Sequence, residues 1–155
     1  MRTWVWWLVP LLFALHNLEE WLALQTFLPR LMQEAPGFAR HLPNVRQYGV
    51  ALLIVTAIPL VFAILRQRFL LVIAQTVIAI NVVSHIVSAL LFRGYTPGVA
   101  TAVCLNLPFS IYFFRALRAG GEVPAARMKR VIPIALLLHG PVLIGLLWWL
   151  GMNHD

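Results

Sequence analysis

Charge is what this sequence has least of. Only 11% of its 155 residues are Asp, Glu, Lys or Arg, against 61% hydrophobic residues, and the mean hydropathy is strongly positive. A water-soluble domain of this size needs more polar surface than that, so the composition excludes the class and leaves lipid as the solvent. Cysteine is nearly absent: Cys104 stands alone, which excludes an internal disulfide, and its apolar neighbours read as the setting of an inert buried thiol. No repeat, low-complexity tract or long linker divides the chain, so a single domain over residues 1–155 is expected. No basic-aromatic patch points to a nucleic-acid partner, and the formal charge of +7 is read instead as a record of topology.

What is present is a series of five apolar runs, at approximately residues 3–24, 48–65, 69–92, 97–114 and 131–150. Each approaches the ~20 residues that an α-helix needs to cross a hydrocarbon core, and a helix is the form that satisfies its own backbone there. The expected fold is all-α: a polytopic membrane bundle of about five transmembrane helices, multi-pass in a cell inner membrane. The start, Arg2 followed by an apolar run to Leu15, resembles a signal peptide, but the run passes into His16, Glu19 and Glu20 with no small-residue cleavage site, so an uncleaved first helix is expected. A cytoplasmic N-terminus places Arg2, Arg66, Arg68, Arg115, Arg118, Arg127, Lys129 and Arg130 on one side, against Arg30, Arg40, Arg46 and Arg93 on the other. That bias favours the N-terminus in. Trp4, Trp6 and Trp7 then belt one interface, and Trp148 and Trp149 the other.

Between the first two runs, residues 25–47 mix Pro29, Pro36, Gly37 and Pro43 with Leu28, Leu31, Met32, Phe38 and Leu42. The prolines argue against one continuous helix, and an interfacial connector is preferred over a lid. His41 in this piece is read as a solvated side chain.

The chemistry lies in the polar residues inside the spans. An acid at a helix centre costs ~2.5–3.5 kcal/mol on insertion scales, so it is kept where it pairs or acts. Two of the five acidic residues are adjacent in the first run, in His16-Asn17-Leu18-Glu19-Glu20. Spacings of three and four put His16 on one face with Glu19 and Glu20, a workable pair of metal ligands. Asn81 and His85 stand one turn apart in the third run, with Ser88 on the same face; Asn106 precedes Pro108 in the fourth, and His139 precedes Gly140 and Pro141 in the fifth. At about 1.5 Å per residue, His16 and Glu20 lie roughly 20–26 Å from the cytoplasmic start of their helix and His85 roughly 24 Å, a shared level. Asn106 falls one to two turns deeper, and His139, about 12 Å above the cytoplasmic end, is an uncertain member. Arg93 stands at the mouth of the inferred pocket, either snorkelling, pairing with a carboxylate of the first helix or binding an anion.

His16-Asn17-Leu18-Glu19-Glu20, Asn81-x-x-x-His85 and Arg93-Gly94-Tyr95-Thr96-Pro97-Gly98 together resemble the HXXEE-domain family of small bacterial membrane proteins, over most of the chain. That resemblance implies the importance of His16, Glu19, Glu20, Asn81, His85 and Arg93 but no reaction.

Three classes of function follow. The first is a metal-dependent membrane enzyme, with His16, Glu19 or Glu20, and His85 holding zinc or iron, His139 as a fourth ligand, and the second glutamate as general base. Of the two acids, the deeper Glu19 is the expected ligand. The apolar setting favours membrane lipid or another hydrophobic small molecule as substrate. The second is a metal-free acid–base lipid isomerase, and the third a carrier or structural subunit in which the carboxylates fix helix register. Two acids, two imidazoles and an arginine at one depth exceed what register alone requires, which favours a site.

Overall fold

A computed structural model describes residues 1–34, 42–121 and 123–152. Among the described residues the chain is helical throughout, in five helices. α1 is Thr3–Glu34, α2 Val45–Ile64 and α3 Arg68–Leu91. α4, Val99–Gly120, carries a π-helical turn at Ala102–Asn106. α5 starts as Ala125–Leu137, passes through a second π turn at Leu138–Val142 and ends as Leu143–Met152. Pro108 follows the first π turn and Pro141 lies inside the second, and the ring nitrogen of each has no hydrogen to give to the preceding turn.

Four helices, α2 to α5, are long and apolar enough to cross a membrane. α1 has the length, but His16, Asn17, Glu19 and Glu20 interrupt its apolar run. It also runs ten residues past the expected end at Leu24, and Pro29 sits inside it. A proline interrupts a helix by removing one hydrogen bond and crowding the previous turn, and α1 absorbs that within its course, so the expected break before residue 34 does not occur. The remainder of the expected connector, including His41, lies outside the described residues.

Two local devices set the turns. Asn44 caps α2, its side chain accepting from the Gln47 backbone N–H at 3.0 Å while the Gln47 side chain accepts from the Asn44 backbone N–H at 2.7 Å. Asn44→Ala is expected to lower stability by about 1 kcal/mol, as read from thermal unfolding in detergent. α2 and α3 both end with an arginine in the left-handed region, Arg66 at φ 54° and Arg93 at φ 51°. Around Arg93, its N–H reaches the Leu90 carbonyl and that of Gly94 the Ala89 carbonyl, the paired bonds that close a helix C-terminus.

The apolar core occupies one end of the bundle. Val5, Trp6 and Val9 of α1 pack with Leu71, Val72 and Ile78 of α3, Phe109, Phe113 and Leu117 of α4 and Val131 of α5. Trp6 meets Phe113 edge-on, with ring centroids 5.5 Å apart. It is therefore a core residue, in contrast to the interfacial place expected for it; Trp4 and Trp7 do face outward, as do Trp148 and Trp149. Cys104 also faces outward rather than into the core, because it stands on the opposite side of the π turn from the buried Ala102 and Asn106. Large apolar side chains such as Leu53, Leu90 and Leu91 cover the outside, as a lipid-facing surface requires.

Candidate functional site: a His/Glu centre closed by the start of α4

At the other end of the bundle the polar residues of α1 meet the turn between α3 and α4. The turn delivers Gly98, which opens α4 at φ 82°. A Cβ on Gly98 would lie 2.8 Å from Cε1 of His16 and 2.7 Å from Cε1 of His85. The backbone therefore passes against both imidazoles, an approach available to glycine alone. The rings themselves meet edge to face, 4.7 Å between centroids.

His16, fully buried, is fixed at both nitrogens. Asn81 Nδ2 donates to Nε2 at 2.9 Å, and Nδ1 lies 2.9 Å from Thr101 Oγ1. The Thr101 hydroxyl gives its proton to Glu19 Oε2, so its oxygen accepts from His16 and the imidazole proton sits on Nδ1. His85 is held from the opposite side. Its ring hydrogen-bonds the Pro97 carbonyl, while its Nε2 is buried with no hydrogen-bond partner. A neutral imidazole with one nitrogen tied to a carbonyl presents a lone pair on the other, the usual state of a metal-ligating histidine.

The two glutamates have separate roles. Glu19 accepts from the Tyr95 hydroxyl at 2.6 Å, the Thr101 N–H at 2.7 Å, the Ala100 N–H at 3.2 Å and the Thr101 hydroxyl. It is a cap on α4 supplied from α1, where the first free backbone N–H groups and the helix dipole both favour a negative charge. Tyr95 stays a donor, because burial, and then its bond to Glu19, push its hydroxyl up to about 12. Glu20 makes no hydrogen bond among the described residues; its Oε2 lies 3.8 Å from His16 Nε2 and 4.0 Å from His85 Nε2. His16, Glu20 and His85 thus bring their ligand atoms within 4.8 Å of one another, a group able to hold a metal ion. Glu19, the expected ligand, accepts four hydrogen bonds, and the acid in the converging group is Glu20.

The other expected members are distributed around this centre. Glu20, Asn81 and His139 line one cavity of about 130 Å³ with Tyr48 and Asn17. His139 is bonded to Ser84 Oγ at 3.0 Å and stands outside the converging trio. Among the described residues Arg93 is exposed and its side chain bonds neither glutamate; Tyr95, two residues on, is the group that donates to Glu19. Asn106 is buried in the π turn of α4 with neither side-chain atom hydrogen-bonded, away from the cavity lining. Thr101 was not anticipated, and Gly98 entered only as the last residue of the Arg93-to-Gly98 motif, with no place in the site. Their signal is a Gly-Val-Ala-Thr helix start, which provides free N–H groups for an acid and a hydroxyl to pass its hydrogen bond onward.

The chain is thus a helical membrane protein whose first, third and fourth helices enclose a His/Glu centre. The family model described as protein of unknown function with HXXEE motif matches residues 7–113, and the chain belongs to that family. The match takes in His16, Glu19, Glu20, Asn81, His85, Arg93 and Asn106 and stops before His139. No curated protein and no solved structure matches the chain.

Proposed function

We propose that this protein is a metal-dependent membrane enzyme acting on a hydrophobic, lipid- or isoprenoid-like substrate, in a cell inner membrane with its N-terminus cytoplasmic. One observation carries the reading: the buried His85 Nε2, without a partner, faces the same point as Glu20 Oε2 and His16 Nε2. Two imidazoles and a carboxylate suit zinc or non-haem iron. Such an ion supplies Lewis-acid polarisation or an activated water. The protein's own part is orientation: Pro97 holds His85, and Thr101, itself held by Glu19, holds His16. Glu19 is engaged as a cap, so His139, on the same cavity, is the group left to exchange a proton with substrate.

A second reading, metal-free acid–base isomerisation, has one contact in its favour. Asn81 occupies the His16 Nε2 lone pair that an ion would need, so metal loading requires the amide to turn away. Elemental analysis of protein purified without chelator decides between the two. Near-stoichiometric zinc or iron that disappears in His16→Ala and His85→Ala is the expected result; protein free of metal after anaerobic purification overturns the metal reading.

A further inference from the structure

α1 and α2 are separated over part of their length by an apolar groove of about 860 Å³, within the range of cavities that hold small amphiphiles. Leu18, Val50 and Leu53 line it and are exposed, so it opens sideways into lipid. Trp21 forms a wall by lying against Gly49, where a Cβ would be 2.9 Å from the indole nitrogen. The groove has polar groups at both ends. The deep end is Asn17, hydrogen-bonded to Thr56 at 2.6 Å; the other end carries Arg46 and Gln25. From Leu52 to Arg46 is about 9 Å along α2, which puts the guanidinium toward the helix end and the headgroup level. Among the described residues no carboxylate pairs with Arg46, since Glu19 caps α4, Glu20 faces the histidines and Glu34 pairs with Arg30.

We infer that this groove binds an anionic phospholipid, its phosphate on Arg46 and one acyl chain running down to Asn17. The unpaired charge of Arg46 at the headgroup end of the groove favours a lipid of net negative charge, and the apolar walls accept a chain of any kind. Asn17 and Leu52 line both this groove and the cavity that holds Glu20, so the bound chain ends one side chain away from the His/Glu centre. As a lipid site the groove stands by itself; as the substrate's place it rests on the enzymatic reading above.

The test is native mass spectrometry of the full chain released from bilayers of phosphatidylglycerol and phosphatidylcholine in equal parts with identical acyl chains. The wild type is expected to retain phosphatidylglycerol about fivefold over phosphatidylcholine, the ratio that one basic residue contributes at an anionic surface. Arg46→Gln should equalise the two lipids, and Leu53→Trp, at a lipid-facing position, should fill the groove and lower both. Equal retention by the wild type, or a preference that survives Arg46→Gln, overturns the inference. Metal analysis of the same samples separates the two readings: metal without lipid preference removes the groove alone, and lipid preference without metal removes the metal centre alone.

Discussion

Gly98→Ala is expected to cost about 2–5 kcal/mol and to abolish metal retention. Two penalties add. The new Cβ would sit 2.7 and 2.8 Å from ring carbons of His85 and His16, both held in place by other bonds, so neither ring has room to yield. The backbone at φ 82° is also one that alanine adopts only at the cost of strain. Gly140→Ala is the matched control, because a Cβ there meets nothing within 4 Å. Thermal unfolding and metal content, measured on both variants in the same detergent, check the claim. A Gly98→Ala protein with normal metal content would show that the backbone does not hold the two imidazoles.

The second expected result is a separation of the adjacent glutamates. Glu19→Gln should lower stability by about 2–3 kcal/mol, because an amide offers one acceptor oxygen where four donors now converge and sets an N–H against another N–H or O–H. Glu20→Gln should leave stability unchanged or slightly raised, since a half-buried carboxylate without a hydrogen bond loses its charge. It should nevertheless lose metal by more than the ~10–100-fold that follows loss of a supporting hydrogen-bond partner. The two readouts, melting temperature and bound metal, should therefore move in different variants. If both glutamates affected metal equally and stability not at all, the division between cap and ligand would fail.

The sequence was informative where physical chemistry acts along one helix. Five apolar runs gave five helices, and the shared depth of His16, Glu20 and His85 follows from a constant rise per residue, so their convergence was legible. The long reach of α1 was less so, since Pro29 marks a break by local rules and the helix continues through it. The difference between Glu19 and Glu20 was not legible at all. Both are costly in lipid, and the choice depends on α4 beginning opposite Glu19, a contact across eighty-one or eighty-two positions that no local pattern encodes. Of the three fates weighed for Arg93, pairing with a carboxylate of α1 is not seen among the described residues, for a related reason. Its charge drew attention, whereas in the structure its backbone closes α3 and Tyr95, two residues on, meets the acid.

The Glu19 cap also bears on how the protein is made. The carboxylate belongs to α1, and its donors, Tyr95 in the turn before α4 and Ala100 and Thr101 in α4, are synthesised some eighty residues later. Until α4 arrives, Glu19 lacks its four donors, and the side-chain hydrogen bond that α2 offers to this stretch among the described residues is that of Thr56 with the neighbouring Asn17. Membrane integration of α1 is thus expected to be completed only when residues near 100 are available, and ribosome-bound chains stopped before Thr101 should leave α1 accessible from water.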